Sequence, residues 1–111
     1  MSEIRPTSQD GAKLLGNLGL CARAGKLIFG VPMICDELRR KGGQSLLVLE
    51  AADTSDNTHK RISDKAGTYG ARYVRLPIDG ATLAAAVGKT SFLGAVAVTD
   101  PGMRTLIEKY L

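Results

Sequence analysis

The chain has 111 residues, 44% of them hydrophobic and 23% charged, which suits one domain that buries roughly two-thirds of the surface its unfolded form exposes. Lys and Arg number 15 against 11 Asp and Glu, a net charge of +4 with a pI near 9.3; this permits an anionic partner such as nucleic acid without demanding one. Residues 1–13 lack the apolar core of a signal peptide and no run approaches the roughly 18 apolar residues of a membrane helix, which excludes a membrane-spanning chain and predicts a cytoplasmic protein.

Residues 1–6 read as a frayed terminus. Thr7-Ser8-Gln9-Asp10 is a loose capping-box pattern ahead of a helix whose buried stripe is Leu14, Leu18, Cys21 and Ala22, widened by Leu15. Gly11, Gly16 and Gly19 lower its helix propensity. Gly25 stops it, because a residue just past a helix end often sits at positive φ. Lys26 follows at the turn, Leu27, Ile28 and Phe29 predict a short buried strand, and Gly30 ends that strand. Pro32 fits the first turn of a second helix, where its missing N–H would have no intrahelical partner. The free amides of that helix start point beyond Gly30, and with Lys26 nearby they favour an anion such as phosphate. Met33, Ile34 and Leu38 are expected to face inward, with Asp36, Arg39, Arg40 and Lys41 on the other side and Gly42-Gly43 as the stop.

Leu46 to Leu49 is a continuous apolar run and reads as a strand buried on both faces. After a loop, Ser55 or Asp53 caps a third helix with Ile62, Ala66 and Tyr69 inside and Lys60, Arg61 and Lys65 in water. Gly70 ends it. Arg72 to Leu76 alternates as a strand near a sheet edge. Between Lys60 and Arg75 five basic residues face one acid, Asp64, so a basic face is expected. Asp79 caps a short Ala-rich helix with Leu83 and Val87 buried, and Gly88 closes it. Thr90 to Gly94 is loop, Ala95 to Thr99 a second buried strand, and Asp100-Pro101 starts a last helix held by Met103, Leu106, Ile107 and Tyr110. Strand and helix alternate about five times, so the class is α/β, a sheet covered by helices on both faces with some parallel pairing. There is no internal repeat, low-complexity segment or linker.

The usual catalytic and cofactor signatures are missing. Gly88-Lys89-Thr90 resembles the end of a phosphate-binding loop, but the Gly that motif needs is Leu83 here, and Gly25-Lys26 fails likewise with Leu20 at that place. No GxGxxG follows a strand, so a dinucleotide site has no support. His59, the only histidine, is expected on a solvated helix face, and it forms no evident metal cluster with Glu50 and Asp53. Asp53 reads as a capping or turning residue. Cys21 and Cys35 read as buried thiols without metal or redox chemistry. Three features converge on binding: the turns at Lys26 and Gly30 with the helix start at Pro32, the basic helix end at Arg39, Arg40 and Lys41, and the loop after Gly88.

The ordered blocks GLCARAGKLIFG, LLVLEAADTSDNTHKRISDKA, LAAAVGK and AVAVTDPGM resemble the ribosomal-protein family L-seven-Ae, in particular its bacterial YlxQ-type branch. The resemblance covers about Leu14 to Ile107. It implies a three-layer α/β/α sandwich with a four-stranded mixed sheet, no catalysis, no cofactor, and binding to structured RNA, above all to the sharply bent kink-turn, in a ribosomal or translation setting. In that family the second helix enters the RNA groove just after the first strand's Gly, here from Gly30 and Val31 onward. The loop after the fourth helix, here Thr90, Ser91, Phe92 and Leu93, lays an apolar surface on an extruded base. Lys26, Gly30, Arg40 and Lys89 carry over directly.

The chain departs from the pattern at Pro32, Met33 and Asp36, where the family's RNA-binding members place Asn, Glu and Lys. Neither Pro32 nor Met33 can hydrogen-bond a guanine edge through its side chain, and Asp36 sets a negative charge where a phosphate partner is expected. Backbone-positioned RNA binding with reduced sequence discrimination is therefore the expectation, by a single domain acting as a monomer. The alternative is a protein-interaction module on the same scaffold, with Phe29, Met33 or Phe92 forming an apolar contact patch.

Overall fold

The computed structural model describes residues 9–111; the frayed terminus and the Thr7-Ser8 half of the capping pattern lie outside them. The elements are α1 (Gln9–Arg23), β1 (Leu27–Phe29), α2 (Val31–Lys41), β2 (Leu47–Glu50), α3 (Asp56–Thr68), β3 (Arg72–Arg75), α4 (Gly80–Ala86), β4 (Ala95–Val98) and α5 (Pro101–Glu108). The strands form one mixed sheet in the order β1-β4-β2-β3, with β2 and β3 parallel and the other two pairings antiparallel.

Alternation along the strands sorts the side chains into two cores. Leu47, Leu49, Val96 and Val98 pack with Leu14, Leu18, Leu83 and Ile107 from α1, α4 and α5. Val48, Ala95 and Ala97 pack with Ile34, Leu38, Ile62 and Ala66 from α2 and α3. The result is three layers, α/β/α. The two apolar runs became the central strands β2 and β4, buried along their whole length. The polar-flanked β3 lies at the edge, where exposed Arg72 and Arg75 need no cover.

Caps act where polar residues precede helices. Ser55, not Asp53, accepts the Thr58 N–H at 3.2 Å, Asp79 accepts the Thr82 N–H at 2.7 Å, and Asp100 accepts the Met103 N–H at 3.0 Å. That Thr82 bond holds the Asp79 carboxyl below its ordinary value. Both cysteines are buried and free. Burial, and then the charge of Asp100, push the Cys21 thiol up, so it stays protonated.

Several expectations shift. β2 starts at Leu47 and ends on Glu50, while Leu46 sits in a turn with its N–H on Gly43 O at 3.0 Å. β4 stops at Val98, and the Thr99 N–H bonds Lys26 O at 3.0 Å. Met33, expected inside, is 60% exposed. The buried stripe of α2 is Val31, Ile34, Cys35 and Leu38, an i, i+3, i+4, i+7 set that turns position 33 to solvent. Leu106 is exposed, and Ile107 is the buried contact of α5, with Met103 and Tyr110 packed beside it.

Candidate nucleic-acid interface

Phe29 pairs with Val96, Glu50 with Ala95, and β3 runs parallel to β2. The β1–α2, β2–α3, β3–α4 and α4–β4 connections therefore emerge at one end of the sheet. Hydrogen bonds stitch them into a rim. The Gly30 N–H reaches Ala95 O at 2.9 Å, Ala51 N–H reaches Gly94 O at 2.8 Å, and Ala52 N–H reaches Ile78 O at 2.8 Å. Asp53 Oδ1 accepts the Gly80 N–H at 2.8 Å, which ties the β2–α3 loop to the start of α4. Asp53 thus turns the chain, as its type suggests.

Gly30 opens α2 at φ 87 and ψ 148, with no side-chain cap, a backbone region closed to residues with a Cβ. Pro32 has no N–H to offer, and among the described residues the amides of Val31 and Met33 enter no backbone hydrogen bond. This helix start is open to an acceptor from outside. Phe92, 56% exposed, lies against Gly80 so closely that a Cβ there would overlap its ring. Phe92 and Val31 both lie within 3.8 Å of the place a Cβ on Gly94 would take, which joins the β1–α2 turn to the α4–β4 loop. The Lys89 ammonium stands 4.4 Å over the Phe29 ring, a cation–π contact that holds its charge beside the rim.

The structure divides the twelve residues singled out from the sequence. Gly30, Pro32, Met33, Lys89, Thr90, Ser91 and Phe92 form or border the rim with accessible atoms. Val31 and Leu93 belong to it as pegs: they are 6% and 8% exposed and pack into opposite cores. Leu93 therefore adds no apolar outer surface, and Phe92 supplies it. Lys26 is not beside Gly30. The three residues of β1 separate them by roughly 13 Å at the strand rise, and the Lys26 carbonyl is tied to Thr99 at the other end of the sheet. Arg40 lies in the last turn of α2, and the cations there are not free. Asp36 sits 3.5 Å from both Arg39 and Arg40, and Glu37 pairs with Arg40 at 2.6 Å and with Lys41 at 3.5 Å. The Arg40 hydrogen bond holds the Glu37 carboxyl below its ordinary value. Of the expected basic face from Lys60 to Arg75, Lys60, Arg61 and Lys65 enter no ion pair among the described residues, while the two β3 arginines have partners. Arg72 pairs with Glu108, and Arg75 donates to Ala52 O at 3.1 Å and Thr54 Oγ1 at 3.4 Å.

Sequence reading missed the polar cluster beneath the rim. Glu50 has no exposed surface, and its carboxylate accepts hydrogen bonds from the Thr54 and Tyr73 hydroxyls. His59 Nδ1 lies 2.8 Å from Glu50 Oε1 and 3.2 Å from the Tyr73 hydroxyl. A carboxylate only accepts, so Nδ1 carries the ring proton. Burial pushes the Glu50 carboxyl up, but the bonds from Thr54, Tyr73 and His59 outweigh it and hold the group below its ordinary value. Burial first, and then Glu50, raise the Tyr73 phenol, which remains a donor. His59 is thus turned toward the sheet at Nδ1, with its side chain still 36% exposed. One signal was present: His59, Ile62, Ala66 and Tyr69 are spaced three, four and three apart, one helix face. Among the described residues no group of three His, Cys, Asp or Glu side chains is placed to hold a metal ion, and no helix is long and apolar enough to cross a membrane.

A mixed four-stranded sheet between two helical layers, with an open helix start and an apolar loop at one end, is the arrangement that the L-seven-Ae resemblance implies. The chain is 36% identical over 85 residues to the Bacillus subtilis (strain 168) protein named RNA-binding protein YlxQ, covering 77% of this chain and 81% of that one. A YlxQ protein of Enterococcus faecium is 37% identical over 57 residues, 51% of this chain and 53% of its own. The chain belongs to the YlxQ family. A solved protein of unknown function from Bacillus halodurans C superposes with a TM-score of 0.76 at 29% identity, over 89% of this chain and 97% of that one. A 15.5kD RNA binding protein of Giardia lamblia shares the fold, with a TM-score of 0.71 at 15% identity over 94% and 86% of the two chains. A comparison with models of known protein families found no match.

Proposed function

We propose that this protein is a non-catalytic, cytoplasmic RNA-binding protein that acts as a single-domain monomer, engages structured, kink-turn-like RNA through the rim, and works in a ribosomal or translation setting. The observation that carries the reading is the open start of α2 at Gly30 facing outward beside exposed Phe92 and Lys89. The amides of Val31 and Met33 approach phosphate oxygens, and Lys89 adds a charge to the same backbone. Met33 and Phe92 give an extruded base an apolar surface to lie on. Pro32 and Met33 leave no side-chain donor or acceptor for a base edge, so positioning outweighs readout. Lys26 and Arg40, away from the rim, attract the RNA at longer range. The relative in Bacillus subtilis is named for RNA binding, which supports the reading.

The test is titration of a kink-turn RNA and an unkinked duplex at several salt concentrations. Affinity for the kink-turn should fall with a log-log slope of about −0.7 to −0.9 per phosphate contacted. Lys89→Ala should weaken binding and flatten the slope by roughly one contact, and Lys26→Ala should do less. A salt-independent interaction untouched by Lys89→Ala would replace this reading with a protein partner for the Met33 and Phe92 surface.

A further inference from the structure

We propose that the groove between α1, β1 and α4 is a binding site for one unpaired nucleotide of an RNA strand that leaves the rim, its phosphate held between Arg23 and Lys89; the proposal rests on the RNA-binding reading above. The groove has a volume of ≈ 530 Å³, within the ~300–1,000 Å³ range of small-ligand sites. Its origin lies in two glycines of α1. At Gly19 the helix approaches α4 so closely that a Cβ would stand 2.9 Å from Ala86 O. One turn earlier, at Gly16, the place of a Cβ has no protein atom within 4 Å. The helices are pinned at one point and open beside it.

The chemistry of the lining selects the occupant. No acidic residue lines the groove, and its two charged residues, Arg23 and Lys89, are both cationic. Neither is in an ion pair among the described residues. Arg23 sits in the last turn of α1, where the helix dipole favours a cation. Lys89 is held over Phe29, itself a lining residue. The rest of the surface is apolar side chain and glycine backbone. A flat, apolar-faced group with an anion on a short tether matches this arrangement, and a nucleotide has that build. Lys89 belongs to the rim and to the groove alike, so a strand whose phosphate passes Lys89 at the rim is led toward Arg23.

Gly16→Leu places a side chain in the groove without meeting any protein atom at its Cβ, and Gly16→Ala controls for the helix propensity gained. Arg23→Ala removes one cation; neither position belongs to the rim. The probes are a blunt kink-turn RNA, the same RNA with a short single-stranded uridine extension, and a free oligouridylate followed by amide NMR. The extension should tighten binding by about ten-fold for wild type and Gly16→Ala, and the gain should be absent in Gly16→Leu and Arg23→Ala, with blunt RNA bound equally by all. The oligouridylate should shift the amides of residues 16, 19 and 88 in wild type and in Gly16→Ala, and not in Gly16→Leu or Arg23→Ala. No gain in wild type, a gain that persists in Gly16→Leu, or no shifts at those amides overturns the proposal. Failure of wild type to bind the blunt RNA removes the rim reading instead, and the oligouridylate shifts then decide the groove alone. An acidic peptide or anionic vesicle that shifts these amides where the oligouridylate does not also overturns it.

Discussion

Replacing Glu50 by Gln should destabilise the protein by about 2 kcal/mol at neutral pH, and the deficit should disappear in acid. Glu50 is wholly buried and accepts from Thr54, Tyr73 and His59. In the variant the amide oxygen still takes Tyr73 and His59, while the amide nitrogen faces Thr54 and can only donate to its oxygen, so the Thr54 hydroxyl proton loses the carboxylate that accepted it. Also lost is the charge assistance of the Tyr73 and His59 bonds. A bond to a charged group contributes about 1.5–3 kcal/mol and a neutral one about 0.5–1.5, a difference near 1 kcal/mol for each. For a domain of this size that lowers Tm by roughly 8–16 °C. The sign with pH follows from the direction of the shift. The folded carboxyl lies below its ordinary value, so its contribution is complete above the unfolded pKa of about 4.3 and is lost as pH falls through the folded value. Urea unfolding of both proteins from about pH 7 down to pH 3 measures this. Equal stability at neutral pH, or a gap that widens in acid, would refute an ionised Glu50 held by three donors.

Three further outcomes follow from the rim. Gly30→Ala should cost about 1–3 kcal/mol in thermal or urea unfolding, since φ 87 with ψ 148 excludes a Cβ; an unchanged Tm would mean that the turn relaxes freely. Gly80→Ala overlaps Phe92, whose ring is exposed and can swing out. It should cost under about 1 kcal/mol of stability yet weaken kink-turn binding at unchanged salt slope, and equal affinity would remove Phe92 from the contact. Asp36→Lys reverses a charge and releases Arg39 and Arg40 from the carboxylate they share, so it should tighten kink-turn binding roughly ten-fold at low salt, with Asp36→Asn between. No gain in a filter-binding titration would mean that this face of α2 does not meet RNA.

The parts of the fold that were legible are those that local chemistry determines. Apolar runs identified the two central strands, glycines marked turns that need positive φ, and Ser55, Asp79 and Asp100 announced helix starts that they do cap. Phase errors arose where an apolar residue had no need to be inside. Met33 and Leu106 are large and hydrophobic, but neither lies on the buried stripe of its helix. Glu50 was hidden for a different reason. A carboxylate directly after an apolar strand reads as the strand's end, and its partners His59 and Tyr73 stand 9 and 23 residues away. Only the fold brings them together. The error over Lys26 was avoidable, since a strand of three residues between Lys26 and Gly30 already sets them at opposite ends of the sheet.

The rim is held from below and behind, and this explains how its outer chemistry can change. Glu50 fixes the start of the β2–α3 loop through Thr54, Asp53 ties that loop to Gly80, and Val31 and Leu93 anchor their turns in the two cores. None of these side chains needs to touch RNA. Pro32, Met33 and Asp36 point to solvent or to neighbouring arginines and support none of those bonds. Substitution at the three positions therefore costs the fold little, while at positions 32 and 33 it leaves no side-chain donor or acceptor for a base edge. What resists change is the backbone itself: Gly30 at its excluded φ and the two unpaired amides after it keep their geometry whatever side chains follow, and the proposed anion site needs only these. If the rim binds RNA as proposed, a scaffold built in this way can lose sequence discrimination one surface residue at a time and still hold a bent phosphate backbone.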